Sequence, residues 1–245
     1  MKDSSTLSEF KKNGFLHIKG FYKLGLIEKI KASLLEEINI RGKDIPASDK
    51  KLSDDKIEFI TDAQRNLSSD FNELFNLSPL HDLVEFLLGE KSELFTSEVL
   101  VKSPFTGFGY RPHQDAAYFC SKENRGLNSW TPLEESNESN GGIWYFPGSH
   151  LLGELPHQVV NVNDYCCDIN ALREKGLKKL LPDAKPGDLL IHDCLLVHGS
   201  SPNKSSKRRM AVSRFYLPNS NSPDRGKYVM SLKNSIIAKG DFKKV

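Results

Sequence analysis

The sequence predicts a mainly β fold, a β-barrel or jelly roll with helices packed outside it. Two changes along the chain lead to this prediction. Roughly the first ninety residues carry mostly helical patterns, and short apolar strands separated by Gly, Pro and Asn turns follow. We expect one domain over residues 1–245, with a helix-rich part at 1–90, a jelly-roll core at 91–217 and a C-terminal extension at 218–245.

The N-terminal part predicts one short strand and several helices. Residues 15–18 are an apolar run between two glycines, which indicates a strand. Residues 24–38 place apolar side chains at helical spacing, with Glu and Lys on the opposite face. The polar stretch 41–55 predicts a loop, and 57–88 predicts mainly helix ending at Gly89.

The jelly-roll core is predicted from apolar runs of strand length. A short helical insertion is expected at 171–181. The expected strands are 92–102, 107–110, 127–131, 143–146, 189–191, 195–198 and 210–217.

Composition excludes several classes of partner. The formal net charge is +2, from 34 basic and 32 acidic residues, so there is no argument for nucleic acid or an anionic membrane. The basic residues at 204–209 are interpreted as a solvated turn. No apolar run approaches the length of a membrane span. The N-terminus is polar, and the four cysteines at 120, 166, 167 and 194 show no disulfide framework, so we expect reduced thiols in the cytoplasm.

His113 and Asp115 are the first candidate metal ligands. In an extended strand, residues two apart point to the same side, so this strand would present an imidazole and a carboxylate together. With a second histidine they form a two-His, one-carboxylate facial triad, the ligand set of Fe(II) oxygenases. Because His-x-Asp is common by chance, the prediction depends on the residues that follow.

Two histidines compete for the third ligand position. His198 follows an apolar run and precedes Gly199 and Ser200, which places it at the end of a buried strand. His192 lies beside Asp193 at a predicted bend, where a hydrogen-bonded structural histidine is the alternative interpretation. The Gly-Ser continuation favours His198.

Arg209 is the candidate anchor for an anionic cosubstrate. It follows His198 by eleven residues, at the start of the next strand, and a buried arginine needs an anionic partner. Arg208 is its competitor, but adjacent strand residues face opposite sides. We therefore expect His113, Asp115 and His198 to hold Fe(II), while Arg209 and Ser200 bind the far carboxylate of 2-oxoglutarate and one coordination position remains for O2.

Several segments, in order, extend this pattern over nearly the whole chain. Residues 41–66 and 218–245 match least. The segments are an entry strand and helix from Phe10 through Gly20-Phe21-Tyr22, RPHQD at 111–115, NGGIWYFPGSH at 140–150, KPGD at 185–188 leading to HGS at 198–200, and then Asn203 and Arg209. Together they resemble the phytanoyl-CoA dioxygenase family of iron/2-oxoglutarate oxygenases.

The resemblance implies a double-stranded β-helix, a jelly-roll and cupin-like core, with iron at one open end. It also implies hydroxylation of a C–H bond with release of succinate and CO2. The family position favours His198 over His192 and places Trp130 in the wall of the 2-oxoglutarate pocket. Related halogenases replace the metal carboxylate with a small residue, so Asp115 argues against halogenation.

Two other functions remain open at this point. One is a non-catalytic jelly-roll binding module, and the other is a cupin-type metal enzyme that does not use 2-oxoglutarate. The expected partner is a small molecule, and the polar loops at 41–55 and 152–181 favour a small polar substrate over a long acyl chain. Arg111 either binds an anionic substrate group or forms a surface ion pair. No sequence feature indicates an oligomeric state.

Overall fold

Two facing β-sheets form the core of the computed structural model, which describes residues 2–46, 50–53, 56–67, 78–105, 109–119, 124–161 and 164–221. The first ninety residues contribute both helices and strands. They are α1 (Ser4–Asn13), β1 (Phe15–Ile18), α2 (Leu24–Arg41), β2 (Lys50–Ser53), β3 (Lys56–Ile60), α3 (Ala63–Asn66) and α4 (Ser78–Leu88).

The rest of the described chain is mainly β. Its strands are β4 (Ser92–Lys102), β5 (Tyr110–His113), β6 (Leu127–Pro132), β7 (Ile143–Tyr145), β8 (His157–Asn161), β9 (Asp164–Cys167), β10 (Leu189–Asp193), β11 (His198–Ser200) and β12 (Arg209–Pro218). Two short helices interrupt them, α5 (Ala116–Phe119) and α6 (Asn170–Glu174), and 3-10 turns lie at Ser149–Leu152 and Asn219–Asn221.

The large sheet has the order β1-β10-β6-β12-β4-β3-β2, and its strands pair antiparallel. The small sheet has the order β5-β11-β7, and β8 pairs with β9 in a separate hairpin. Neighbours in sequence are often not neighbours in the sheets, because consecutive strands alternate between the two layers. This is the arrangement of a jelly roll, so the predicted fold class is confirmed.

The helix α1 directs the chain into the large sheet. The Asp3 side chain caps its first turn by accepting a hydrogen bond from the Thr6 amide at 2.8 Å. The helix ends at Gly14, whose φ of 77° lies in the left-handed region. A Cβ at this position would meet the His150 ring at 2.5 Å, so only glycine lets β1 follow directly.

One face of the large sheet packs against the helices. Apolar residues on this face alternate along β4 and β12 with residues that face the small sheet. Each buried Leu, Ile or Val side chain contributes about 1.5–3 kcal/mol relative to an exposed one. The packing involves Val99, Val101, Met210 and Val212 from the sheet and Ile27, Ile30, Leu34, Leu80, Leu83 and Val84 from α2 and α4.

The opposite face of the large sheet looks toward the small sheet. Directly paired residues of antiparallel strands point to the same side, so the register identifies this face. Arg209 pairs with Lys102 and Ser213 with Glu98, and Trp130 of β6 pairs with Ser213 on the other side. The space between the sheets therefore receives both charged and aromatic side chains.

Most predicted strands are confirmed, with two wrong predictions in the first ninety residues. Residues 56–60 form β3 instead of helix, because Phe59 and Ile60 pair with the edge of β4. Within the predicted loop at 41–55, Lys50–Ser53 form β2, which pairs with β3. Both strands owe their conformation to pairing partners that are remote in sequence, which overrides the local pattern.

Other differences are smaller. The strand predicted at 195–198 is shifted, since β11 begins at His198, and the helix expected at 171–181 is limited to α6. The hairpin of β8 and β9 has no counterpart among the predicted strands. Residues 106–108 and 222–245, which include half of the predicted strand at 107–110 and most of the C-terminal extension, lie outside the described residues. None of the helices described here is long and apolar enough to cross a membrane.

Candidate active site

The small sheet places His113 and His198 opposite each other. His113 is the last residue of β5, His198 is the first residue of β11, and the two are cross-strand partners with ring centroids 4.3 Å apart. Both side chains are buried. The strand register therefore joins two histidines that are 85 positions apart in the sequence.

Asp115 reaches the two histidines from a turn, which differs from the expected shared strand face. The strand ends at His113, and the Tyr118 amide donates a 2.9 Å hydrogen bond to the Asp115 carbonyl as α5 begins. Asp115 Oδ1 lies 3.5 Å from His198 Nε2 and 3.7 Å from His113 Nε2. The ligand atoms of the three residues all lie within 4.8 Å of one another.

Backbone carbonyls orient both imidazoles. His113 Nδ1 lies 2.7 Å from the Arg111 carbonyl, and His198 Nδ1 lies 2.9 Å from the Leu196 carbonyl. Because a carbonyl only accepts, each Nδ1 carries the proton, and each Nε2 presents a lone pair toward the Asp115 carboxylate. Two imidazole nitrogens and a carboxylate oxygen fit Fe(II) and leave the opposite coordination positions open.

Asp115 is held in turn through its second oxygen. Oδ2 accepts a 2.9 Å hydrogen bond from Asn128 Nδ2 and lies 3.2 Å from His192 Nε2. His192 Nδ1 lies 3.2 Å from the Tyr145 hydroxyl, which acts as its donor. Ser213 Oγ donates to Asn128 Oδ1 at 2.7 Å. His192 thus contacts the outer oxygen of the carboxylate, whereas His198 lies on the side of His113.

Burial and charge set the protonation states expected of a metal site. Burial lowers the pKa of His198 to about 4, even though the Asp115 carboxylate opposes this shift. Burial raises the pKa of Asp115, but the three neighbouring histidines outweigh it and hold that pKa well below its usual range. At neutral pH the site therefore offers neutral imidazole and ionised carboxylate, the forms that bind metal.

Arg209 lies in the same cavity with most of its guanidinium unpaired. The residue is 2% exposed, and Nη2 donates to the Gly141 carbonyl at 3.1 Å. Its Nε and Nη1 have no hydrogen-bond partner among the residues that the structure describes. Trp130 covers the guanidinium at 5.6 Å from ring centroid to Cζ. A buried fork with two free donors fits a carboxylate, and the far carboxylate of 2-oxoglutarate satisfies this requirement.

The neighbouring Arg208 has the opposite orientation. It forms two hydrogen bonds to the Glu134 carboxylate, at 2.7 and 3.2 Å, and is partly exposed. Arg208 directly precedes β12, and the two adjacent arginines point in opposite directions, as the sequence predicted.

Lys102 is a second buried cation, and no motif in the sequence indicated it. Its Nζ donates to Ser200 Oγ at 2.7 Å and to the Ser201 carbonyl. Burial, followed by the charge of Arg209, lowers the pKa of Lys102 to about 6. Asn203 closes this region by donating to the Lys102 carbonyl at 3.1 Å. In the sequence, the available signal was a lysine at the end of an apolar strand run. The structure pairs this lysine directly with Arg209.

The cavity between the sheets collects all six residues predicted from the sequence. It also contains residues that the sequence did not indicate, among them Glu98 and Asn128. The predicted residues that line it are His113, Asp115, His198, Ser200, Arg209 and Trp130.

The remaining four histidines have structural contacts. His17 Nε2 lies 2.8 Å from Asp188 Oδ2, and His157 Nε2 accepts from the Gln114 amide at 3.1 Å. His150 Nε2 lies 3.0 Å from the Lys11 carbonyl at the end of α1. His81 packs edge-on against Tyr216, with ring centroids 5.4 Å apart.

Comparison with known proteins identifies the family. The model of the phytanoyl-CoA dioxygenase (PhyH) family matches residues 10–211, which include every residue of the cavity described above except Ser213. The chain belongs to the phytanoyl-CoA dioxygenase family.

Individual relatives are more distant. A probable alpha-ketoglutarate-dependent hypophosphite dioxygenase from Stutzerimonas stutzeri is 31% identical over 136 residues, which cover 52% of this chain and 46% of that protein. The ectoine dioxygenase of Halomonas elongata is 24% identical over 225 residues, covering 84% of this chain and 67% of that protein. The chain thus spans about half to two thirds of the length of these curated relatives.

The fold also matches solved structures. The crystal structure of EctD from S. alaskensis with 2-oxoglutarate and 5-hydroxyectoine superposes with a TM-score of 0.77 at 20% identity. The match covers 91% of this chain and 78% of that chain. At this level of identity, the likeness supports the jelly-roll fold.

Proposed function

We propose that this chain is an Fe(II)/2-oxoglutarate-dependent dioxygenase that hydroxylates a C–H bond of a small-molecule substrate. One oxygen atom of O2 enters the substrate, and the other enters the succinate that forms as 2-oxoglutarate loses CO2. The observation that carries the proposal is one cavity with a His-Asp-His set within 4.8 Å and a buried arginine with two unpaired donors.

Each residue of the cavity has a separate task in this proposal. His113, Asp115 and His198 hold the iron, which when bound supplies the redox chemistry between O2, 2-oxoglutarate and the substrate. Arg209 and Ser200 bind the far carboxylate of 2-oxoglutarate, and Lys102 orients Ser200. Trp130 forms a wall of the pocket above Arg209. The buried position of these groups keeps bulk water from the reacting atoms.

Specific observations oppose the other functions. A non-catalytic binding module does not require a buried carboxylate held by two residues and faced by two oriented imidazoles. A metal enzyme that does not use 2-oxoglutarate leaves Arg209 without the anion that its free donors require. Asp115 occupies the position that chloride takes in halogenases of this family, so hydroxylation is the proposed outcome.

The proposed substrate class is a small polar molecule. The names of similar proteins support this, since hypophosphite and ectoine are both small and polar. We also propose a cytoplasmic location. The free thiols of Cys166, Cys167 and Cys194 support it, while Cys120 lies outside the described residues.

The proposal is tested by ligand binding without oxygen. Addition of Fe(II) and 2-oxoglutarate to the anaerobic protein should produce a weak visible charge-transfer band. Asp115→Ala and His198→Ala should each abolish the band, because each removes one ligand of the chelated metal. His81→Ala is the matched control, since His81 lies on α4 beyond the large sheet, and it should retain the band. Full Fe(II) affinity and turnover in Asp115→Ala would show that the metal site is misassigned.

A further inference from the structure

Glu98 is a cavity residue that neither the metal site nor the 2-oxoglutarate site uses. It lies on β4, pairs directly with Ser213 and points to the same side as Leu100 and Lys102. Its side chain is partly buried and lines the cavity together with Asp115. The Ser213 hydroxyl donates a hydrogen bond to Asn128, which in turn donates one to Asp115. Because Glu98 pairs with Ser213, it lies close to the proposed iron site.

The other polar side chains in this part of the cavity already have partners. Asn128 bridges Ser213 and Asp115, and His192 bridges Tyr145 and Asp115. Glu98 makes no hydrogen bond or ion pair with any residue in the described part of the chain. Once iron and 2-oxoglutarate are bound, its carboxylate is the remaining polar group available to a substrate.

Two buried cations, Arg209 in the cavity wall and Lys102 behind Ser200, are at the other end of the cavity. Lys102 lies four residues from Glu98 on the same strand, which corresponds to about 13 Å. Lys102 is turned to Ser200 and Ser201, and Arg209 to Gly141 and the 2-oxoglutarate position. A carboxylate in a cavity of low polarity is unfavourable without a cation or a set of donors, so Glu98 favours the protonated form in the empty cavity and ionises when a cation lies beside it.

The charges that act on Glu98 point to the sign of that partner. Burial, followed by the negative charges of Asp115 and Asp62, raises the pKa of Glu98 to about 8. Lys102 and Arg209 are directed toward Ser200 and the 2-oxoglutarate position and away from Glu98. A positively charged substrate group beside Glu98 favours the ionised carboxylate, whereas a negatively charged group adds to the repulsion.

We propose that Glu98 binds an ammonium group of the substrate, so that this enzyme acts on a small organic amine. The inference rests on the proposed function and deepens it by naming the substrate class. The ammonium donates hydrogen bonds to the carboxylate, and the carbon chain extends along Leu100 and Ile143, which line the same cavity. An anchor on β4 near Asp115 directs a C–H bond of that chain toward the iron ligands.

The first experiment uses three probes of equal length, n-butylammonium, 1-butanol and butyrate. Each probe is titrated into the anaerobic protein loaded with Fe(II) and 2-oxoglutarate. The shift in wavelength of the charge-transfer band measures binding of the probe. The wild type should bind n-butylammonium at least about tenfold more tightly than 1-butanol, with butyrate weakest, since a buried charge-assisted pair is worth more than about 1.4 kcal/mol. Glu98→Gln keeps the shape of the side chain and should remove the preference. Glu93→Gln, an exposed glutamate on the same strand, is the matched control and should retain it.

The outcomes separate this inference from the proposed function. The role of Glu98 is overturned if the three probes bind with equal affinity, or if none of them binds. It is also overturned if the preference for n-butylammonium persists in Glu98→Gln. In each case the charge-transfer band, and with it the proposed function, is unaffected. Absence of the band in the wild type overturns the proposed function and this inference with it.

A second experiment measures succinate release with a panel of small amines and their N-acetyl derivatives. Amines should stimulate release and their acetylated forms should not, because acetylation removes the positive charge. Glu98→Gln should lower kcat/KM for the best amine by about 10- to 100-fold, with the KM for 2-oxoglutarate unchanged. Stimulation by the neutral derivatives at equal kcat/KM would overturn the substrate class.

Discussion

Asn128 donates a 2.9 Å hydrogen bond to Oδ2 of Asp115, the oxygen that is not closest to His113 and His198. With His192 at 3.2 Å on the same atom, this contact fixes the plane of the carboxylate. Oδ1 is then presented to the two histidines as a single ligand atom. A carboxylate held in this way leaves more of the coordination sphere for 2-oxoglutarate and O2.

Removing this support should weaken iron binding. We expect Asn128→Ala and His192→Ala each to lower the affinity for Fe(II) by about 10- to 100-fold, because Asp115 loses a partner that orients it. Tyr145→Phe should have a smaller effect in the same direction, since it acts on Asp115 only through His192. Anaerobic Fe(II) titrations measure these affinities. Wild-type affinity in both Ala variants would show that Asp115 is positioned by its own turn alone.

The two adjacent arginines provide a matched pair of variants. Arg209→Ala should raise the Kd for 2-oxoglutarate by roughly 100-fold, since truncating one partner of a buried charge pair costs about 2–5 kcal/mol. Arg208→Ala removes the same atoms one position away and breaks only the pair with Glu134, so its Kd should stay within about twofold of wild type. Both constants come from the intensity of the charge-transfer band. Equal effects of the two substitutions would contradict the assignment of Arg209.

Lys102 should make 2-oxoglutarate binding depend on pH. Its pKa of about 6 in the free protein will rise when a dianion binds beside it, so binding takes up a proton. Affinity is then greatest below that pKa and falls as pH increases, by up to about tenfold per pH unit. Kd values between about pH 6 and pH 8 test this slope. Lys102→Met should bind more weakly at the lower pH and lose most of the slope, and an unchanged slope would exclude Lys102 as its source.

Asp188 should contribute stability that depends on pH. It accepts hydrogen bonds from His17, the Gly20 amide and the Lys185 amide. These bonds connect the end of β1 with the start of β10. Burial raises the pKa of Asp188, but these hydrogen bonds outweigh it and hold the pKa below its ordinary value of 3.8. The stabilisation is therefore present above that value and is lost as pH falls through the lower pKa of the folded state.

Chemical denaturation of Asp188→Asn measures this contribution. The variant should lose about 2–3 kcal/mol of unfolding free energy at neutral pH, and its deficit should shrink below about pH 4. Asp168→Asn is the control, because Asp168 is exposed and, among the described residues, accepts one hydrogen bond, from the Asn170 amide. Its cost should stay below about 1 kcal/mol. A deficit of Asp188→Asn that is constant across the acid range would indicate that charge is not involved.

Local pattern was sufficient for the strands with strong alternation. Ser92–Lys102 forms a strand over the predicted range, because its apolar residues alternate between the helix-covered face and the cavity. Pattern was misleading for Lys56–Ile60, whose conformation depends on pairing with β4. An edge strand with mixed polarity has no local signal that distinguishes it from an amphipathic helix.

The residues that support the site were not predictable, because they depend on the register between remote strands. Lys102 and Ser200 are in hydrogen-bond contact although 98 positions separate them. Asn128 faces Asp115 only because β6 lies between β10 and β12 in the large sheet. Asp115 itself was expected on a strand, and the start of α5 places it on a turn with the same final neighbours.

The order of chemically distinctive residues along the chain was therefore enough to name the jelly roll, the candidate ligands His113, Asp115 and His198, and Arg209. Such residues carry their signal locally, in spacing and in the turns beside them. The contact of His192 with the outer oxygen of Asp115, the free donors of Arg209 and the unpaired Glu98 followed only from the tertiary structure. These properties depend on which side chains meet across two sheets, and that is determined by strand order and register, not by neighbours in sequence.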